Sequence, residues 1–453
     1  MTMNTQINIS HKQLFKMSLL GLLAALLIIA FTGSRASAQD KTLTLKEAIS
    51  LGLQNSKTLK YSQAKIDEEV SQYNQAKDRS LPTGSVGLTY YRAQIPAHTL
   101  DFGSDVINLP SNANAYLGTA SVNEVIFGGN KLKYARQSTD LLTQVSRLDA
   151  DKDKDQITFD IINSYYNLYK VLQSIKVVNQ NIETEDQQIH QSQRFFDQGL
   201  VTKNDVLRFE LQKANIQLNG IDLENNRKVI NYNLNVLLGL PETTAIRIDT
   251  LTDSARAVGP LANYLDTALQ NRQELRALDL NNRVAQTNVK SIQANQLPTL
   301  SAAASGYYVD AAANPLPTHG NYITPITVGL TVGWNFDALW LNKNKVAQAK
   351  IQLNEVEINK GITTDNVKDE VNQSYQNYLT ALDKIKLLQT SIAQAGENNN
   401  ILQSKYKSNT ASATDRADAE TLLFQAQINL ELAKADAVLA YYSLLKTTGK
   451  LNK

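Results

Sequence analysis

Four histidines and no cysteine leave this chain few routes to covalent or metal chemistry. Without thiols there is no disulfide, no thiolate nucleophile and no cysteine-bound metal. His11 lies in an apolar leader, His190 stands alone in a long polar run, and His98 and His319 fall in two comparable loops. Those two could meet in an oligomer and ligate a metal. No acids flank them at ligand spacing, so solvated loop histidines are the plainer reading. There is no phosphate-binding loop and no nucleophile elbow. Carboxylates are scattered along helical faces instead, as in Asp149 to Gln156 (DADKDKDQ), which is the pattern of a solvated coil. No cofactor is implied, and the chain is expected to act by shape and charge rather than as an enzyme.

The elements that position such residues are long. Lys131 to Leu240 is 110 residues without proline, at helical spacing, interrupted once around Phe195 to Asp205. Asn342 to Lys453 repeats the plan. Lys131 to Phe196 alone predicts a helix about 100 Å long. Ile161, Tyr165, Leu168, Leu172, Ile175, Ile182 and Ile189 fall on a 4-3 seam, matched by Val371, Tyr375, Tyr378, Leu382, Ile385 and Ile392. Returning helices are predicted from Asn204 and Thr414, the first with Leu207, Leu211, Ala214, Leu218 and Ile221 on its own 4-3 spacing. They end near Gly239 and Gly449. The other faces are rich in Asn, Gln, Lys and Asp. A thin seam on polar helices suits a hollow assembly that is wet on both sides.

Residues 1–38 read as a cleaved export signal: Lys12 and Lys16, an apolar run from Leu19 to Phe31, then Ala36-Ser37-Ala38. A membrane anchor is the alternative, but the run is short for a span. Removing Lys12, Lys16 and Arg35 from 45 basic residues leaves 42 against 43 acidic. A nucleic-acid partner would call for a basic excess, and there is none. No later run could form a transmembrane helix, so any membrane crossing must be a β-barrel.

The chain is duplicated. Leu53-Gln54-Asn55 matches Leu269-Gln270-Asn271, and Leu81-Pro82-Thr83 matches Leu297-Pro298-Thr299. Later, Ser164-Tyr165 matches Ser374-Tyr375, Asp205 matches Asp415, and Gly239 matches Gly449. Each copy opens with a helix, Leu45 to Ser80 or Leu261 to Gln296, that stops before a proline. Strand pairs follow, at Thr83 to Tyr91 with Tyr116 to Phe127, and at Thr299 to Val309 with Tyr322 to Phe336. In the last strand Ile326, Val328, Leu330, Val332, Trp334 and Phe336 alternate with small and polar residues. An apolar face of this kind meets a second sheet in a soluble sandwich, or lipid in an outer-membrane barrel. Tyr90, Tyr91, Tyr116, Tyr307, Tyr308 and Tyr322 at strand ends fit interfacial girdles or sheet packing. Four strands cannot close a barrel, so copies would have to share one: two give eight strands, three give twelve.

The order of signal, helix, two strands and long hairpin, then the last three again, resembles the TolC-like outer-membrane efflux family over nearly the whole mature chain. The first hairpin turn (Phe195, then Gly199-Leu200-Val201-Thr202, then Asp205-Val206-Leu207) looks like the family's first periplasmic tip. Tyr406 to Asp418 looks like its second, and Phe127-Gly128-Gly129 like its strand-to-helix junction. The resemblance implies a mainly α fold with a small β part: a homotrimer sharing a 12-stranded outer-membrane barrel, four strands per chain, continued by a periplasmic α-helical barrel. It implies a passive export duct in a Gram-negative envelope, partnered by a periplasmic adaptor protein and an inner-membrane pump in a tripartite efflux or type I secretion system. The adaptor-docking tips would be Gly199, Leu200, Val201 and Thr202 with Asn409, Thr410, Ala411 and Ser412. Asp415 and Asp418 occupy the places of the family's aperture aspartates, and Asp205 and Tyr406 those of residues that hold the tips shut. The family's arginine partner is replaced by Ala411, so any lock must be built differently. Asn409 replaces a turn glycine, and Asn tolerates the left-handed conformation needed there. The expected division is a signal at 1–38, efflux repeats at 39–240 and 261–453, and a linker at 241–260. The rival expectation is a non-transporting coiled-coil structural or adhesive surface protein, which would need no lipid-facing sheet.

Overall fold

The computed structural model describes residues 41–94, 96, 99–108, 112–248, 256–313 and 322–452. The predicted signal, His98 and His319 lie outside them. A short strand β1 (Lys41–Thr42) leads to helices α1 (Leu45–Asn55) and α2 (Lys57–Asp78). Thr44 and Glu47 form a capping box at the start of α1, with Thr44 N donating to Glu47 Oε2 at 2.9 Å. The single helix expected from Leu45 to Ser80 is therefore broken at Ser56, which leaves helical dihedrals and caps α2 through Leu59 N. The break has a tertiary use. Asn55 Nδ2 donates to Leu238 O at 2.7 Å, satisfying a carbonyl at the end of a returning helix.

Strands β2 (Thr83–Gln94) and β5 (Asn112–Phe127) pair antiparallel, and the connection between them carries a small hairpin, β3 (Thr99–Phe102) and β4 (Asp105–Asn108). Nothing in the sequence pattern of this connection predicts that hairpin. It turns at Gly103, whose φ of 74° suits glycine. Helix α3 (Lys131–Asp197) then runs unbroken for 67 residues and α4 (Lys203–Leu238) returns along it. Gly239, with φ 67°, closes α4 against Asn55. The segment expected to be a linker contributes β6 (Ile246–Arg247), which pairs in parallel with β1. Asn231 and Asn235 of α4 both donate to Thr244 O and hold it down.

The second pass repeats the order. Helices α5 (Leu261–Asn271) and α6 (Gln273–Gln293) are again broken between them, at Arg272. Strand β7 (Thr299–Ala313) precedes β8 (Tyr322–Ile323) and β9 (Ile326–Gly333). The continuous last strand expected from Tyr322 to Phe336 is thus interrupted at Pro325, which has no N–H for the ladder, and ends at Gly333. A short helix α7 (Ala338–Leu341) and the hairpin α8 (Lys343–Lys407) and α9 (Ala413–Thr447) complete the chain.

The long strands form one sheet in the order β2-β5-β7-β9, so the two passes join edge to edge at β5 and β7. The main core also draws on both passes: Ile161, Tyr165, Leu168, Leu234 and Leu238 pack with Ala435 and Val438. Tyr165 OH donates to Leu43 O at 3.0 Å inside it. Beyond Tyr169 the expected α3 seam gives way. Leu172, Ile175, Ile182 and Ile189 are only half-buried. The buried positions are Val171, Ser174, Val177, Val178, Asn181, Glu185, Gln188 and Ser192, mostly at three- and four-residue steps and mostly polar. The expected seam on α4 faces outward: Leu207, Leu211, Leu218 and Ile221 are all at least 50% exposed. No helix among the described residues is long and apolar enough to cross a membrane.

Candidate functional site: the paired hairpin tips

Both hairpin turns use one local solution. After α3, Gly199 takes φ 72°, its N–H bonds Phe196 O at 2.9 Å, and Leu200 N bonds Phe195 O at 2.9 Å. After α8, Asn409 takes φ 57°, its N–H bonds Tyr406 O at 3.1 Å, and Thr410 N bonds Lys405 O at 2.9 Å. These are paired C-terminal caps of the Schellman kind. Each returning helix then opens on a carboxylate at its third position. Asp205 Oδ2 accepts from Thr202 N and Oγ1, both at 2.8 Å. Asp415 Oδ2 accepts from Ser412 Oγ at 2.7 Å and Ser412 N at 3.1 Å. The Ser412 hydroxyl, then its backbone N–H, hold the exposed Asp415 carboxyl below the usual carboxylate range.

Asp418, one turn on, is exposed and makes no hydrogen bond or ion pair among the described residues. Asp415 and Asp418 therefore differ: one caps its helix, the other is free to present its charge. Thr202 and Ser412 act as caps, and Leu200 is 49% exposed at the end of the first tip. Val201 and Ala411 are half-buried, Thr410 Oγ1 donates to Lys405 O at 3.0 Å, and Asn409 Nδ2 reaches Leu200 O at 3.4 Å between the two turns.

Tyr406 is buried where the hairpins meet, in van der Waals contact with Phe195 and Phe209 at ring-centroid distances of 6.0 and 5.7 Å. Its hydroxyl donates to Ser192 Oγ at 3.2 Å. Asp205 is close enough to push the phenol upward, burial being the larger cause, but the two do not hydrogen-bond. The structure thus gives Tyr406 a partner on α3 and leaves Asp205 to its cap.

An arginine does sit beside the second tip, at Arg416 rather than at Ala411. It is 1% exposed, pairs with Glu420 at 3.1 Å, and donates to Asn399 Oδ1 on α8 at 2.5 Å. Glu185 of α3 is buried against the same group. The signal was present in the sequence. Ala413, Arg416, Ala417, Glu420 and Phe424 share one helical face at three- and four-residue steps, so two charges interrupt an otherwise apolar stripe.

At the other end of the helices, the sheet presents apolar side chains to the outside. Val86 is 88% exposed and Val328 83%, with Leu88, Ile326, Leu330 and Val332 in the same state. Phe336, Leu339, Trp340 and Leu341 continue this apolar surface at the junction with α8. Among the described residues β2 pairs only with β5, and β9 only with β7, so both long edges of the sheet are free. Apolar area of this extent is not left to water in a lone soluble chain.

The outer membrane efflux protein family matches this chain twice, over residues 48–240 and 264–450. The chain is 22% identical over 377 residues to the outer membrane efflux protein BepC of Brucella suis biovar 1 (strain 1330), covering 81% of this chain and 79% of BepC. It is 22% identical over 408 residues to the outer membrane protein TolC of Escherichia coli (strain K12), covering 87% and 80%. The fold is similar to that of the outer membrane protein VceC from Vibrio cholerae, with a TM-score of 0.75 at 15% identity over 89% of this chain and 96% of VceC. It is equally similar to CusC, with a TM-score of 0.75 at 14% identity over 89% of this chain and 92% of CusC.

Proposed function

Since the chain belongs to the outer membrane efflux protein family, we propose that three copies build a passive export duct through the outer membrane, fed by an inner-membrane pump through a periplasmic adaptor. Like its relatives it is an outer-membrane protein with a periplasmic portion, in a family of channels rather than enzymes. The observation that carries the proposal is the four-stranded sheet, apolar outside and free at both edges, set at one end of helices about 100 Å long. Three such sheets joined edge to edge make a closed 12-stranded barrel with no edge left to pair. The outward stripe Leu207, Leu211, Leu218 and Ile221 on α4, with Ile351, Ile358 and Ile362 on α8, offers coiled-coil seams for neighbouring copies. Residues 39–240 and 261–453 are then the two efflux repeats, 241–260 the join, and 1–38 a leader lost on export.

In this assembly the tips lie at the periplasmic end. Gly199 to Thr202 and Asn409 to Ser412 form the adaptor-docking surface, and Tyr406 and Asp205 support tip closure. Asp415 and Asp418 of three copies ring the axis, where six carboxylates favour cations over anions. The test is fractionation. Heat-resistant trimers extracted by detergent from the outer membrane are expected, and recovery in the soluble periplasm would overturn the proposal.

A further inference from the structure

The tip half of α3 buries polar residues where a coiled coil ordinarily buries aliphatic ones, and Glu185 is the costliest of them. It is fully buried, and neither carboxyl oxygen has a hydrogen-bond partner. Arg416 and Glu420 of α9, both buried, lie near enough for their charges to act on it, without a hydrogen bond to either carboxyl oxygen. Arg416 Nη2 lies 3.1 Å from Glu420 Oε2, but that oxygen makes no aligned hydrogen bond, and Arg416 Nε is unpartnered as well. Arg416 Nη1 is held by Asn399 of α8. One guanidinium therefore faces two carboxylates in a space that water does not reach.

Among the described residues, Arg416 is the one cation found to act on Glu185. From α4, Lys213 is already paired with Asp186 of α3 at 2.5 Å. From α8 the nearby titratable group is Tyr406, whose phenol burial pushes upward. Asp186, beside Glu185 on α3, adds negative charge. With both glutamates ionised the cluster would carry a buried, uncompensated charge, which is expensive. Keeping one proton removes it. Burial first, and then Glu420, push the Glu185 carboxyl up to about 8 against the pull of Arg416, and burial raises Glu420 too. The proton belongs to the cluster rather than to either carboxylate.

The three side chains come from both hairpins: Glu185 from the first, Arg416 and Glu420 from the second. We propose that Glu185, Arg416 and Glu420 form a proton-held clasp between the hairpins, fastening the tips together while one of the two carboxyls stays protonated and slackening when that proton is lost. Separated hairpins would return these carboxylates to water and to their ordinary titration, so the docked arrangement binds the proton more tightly. Docking is therefore at full strength below the ordinary carboxylate range. It weakens as pH rises from there through about 8. This is opposite in sign to the helix cap at Asp415, whose contribution is lost only on acidification.

The absence of native cysteine makes the test clean. Ser192 is buried at the same interface, so Ser192→Cys in the detergent-extracted full chain reacts with a neutral maleimide only when the hairpins part. Its rate is divided by that of Gln187→Cys, an exposed position on the same helix, to remove the intrinsic pH dependence of the thiol. The normalised rate should rise about tenfold or more between about pH 6 and about pH 9, and stay flat when Glu185→Gln is added. A flat profile without Glu185→Gln overturns the proposal, as does an equal rise with it. If Glu185→Gln fails to assemble, Ser174→Cys decides: it is buried higher on α3 and should stay protected. An equal rise there would mean general loosening and would also overturn the clasp. The readout involves no transport, so it stands or falls apart from the export reading.

Discussion

The phenol of Tyr406 donates to Ser192 Oγ across 3.2 Å, tying the second hairpin to the first inside a contact closed to water. Tyr406→Phe keeps the ring packing against Phe195 and Phe209 and removes only that bond, which should cost about 1 kcal/mol. Tyr406→Ala also opens a cavity and should cost about 3–5 kcal/mol. Limited proteolysis at the tips should rank the two in that order. Equal susceptibility to that of the unaltered chain would show that Tyr406 closes nothing.

At the other end of the core, α1 crosses α3 at Gly52, where a Cβ would overlap Ile161 Cδ1. Ile161 is fully buried, so its terminal methyl can move aside only by displacing packed neighbours. Gly52→Ala should therefore destabilise by about 1–3 kcal/mol, even though alanine is the better helix former. The check is Tm by circular dichroism, and a raised Tm would mean that the close approach of α1 is not a constraint.

The second tip depends on Asn409 in the left-handed region at φ 57°. Asn409→Gly should be neutral or slightly stabilising, while Asn409→Ala should cost about 1–2 kcal/mol at the turn. Hydrogen exchange of the Thr410 amide, which closes the cap on Lys405 O, would report both. The same exchange rate in all three chains would contradict a conformational role for Asn409.

The element order and both long hairpins are legible in the sequence because 110 residues without proline leave little else to form. The turns are legible because Gly199 and Asn409 are residue types suited to positive φ. Three kinds of feature are not. The breaks at Ser56 and Arg272 carry neither glycine nor proline. They are imposed from outside, where Asn55 reaches Leu238 O and Arg272 Nη1 reaches Thr447 O. The polar seam is missed because apolar periodicity selects Ile182 and Ile189, whereas the interface buries Glu185, Gln188 and Ser192. Spacing cannot see that Arg416 waits across the contact, although an arginine within an alanine stripe is a warning. The outward face of α4 likewise looks like an in-chain seam until the fold shows that no described residue covers it.

The proposed aperture would rest on Asp415 and Asp418, and their surroundings separate their roles. Asp415 caps α9 through Ser412, so Asp415→Ala should loosen the first turn as well as remove charge. Asp418 has no such duty, so Asp418→Ala should chiefly reduce cation selectivity.

The most direct measurement is single-channel current from the purified oligomer in a planar bilayer. The unaltered protein should give a low, cation-selective conductance, and Asp415→Ala with Asp418→Ala should give a larger, less selective one. Absence of channels from both would contradict an export duct, and identical conductance and selectivity in the two would contradict the aperture.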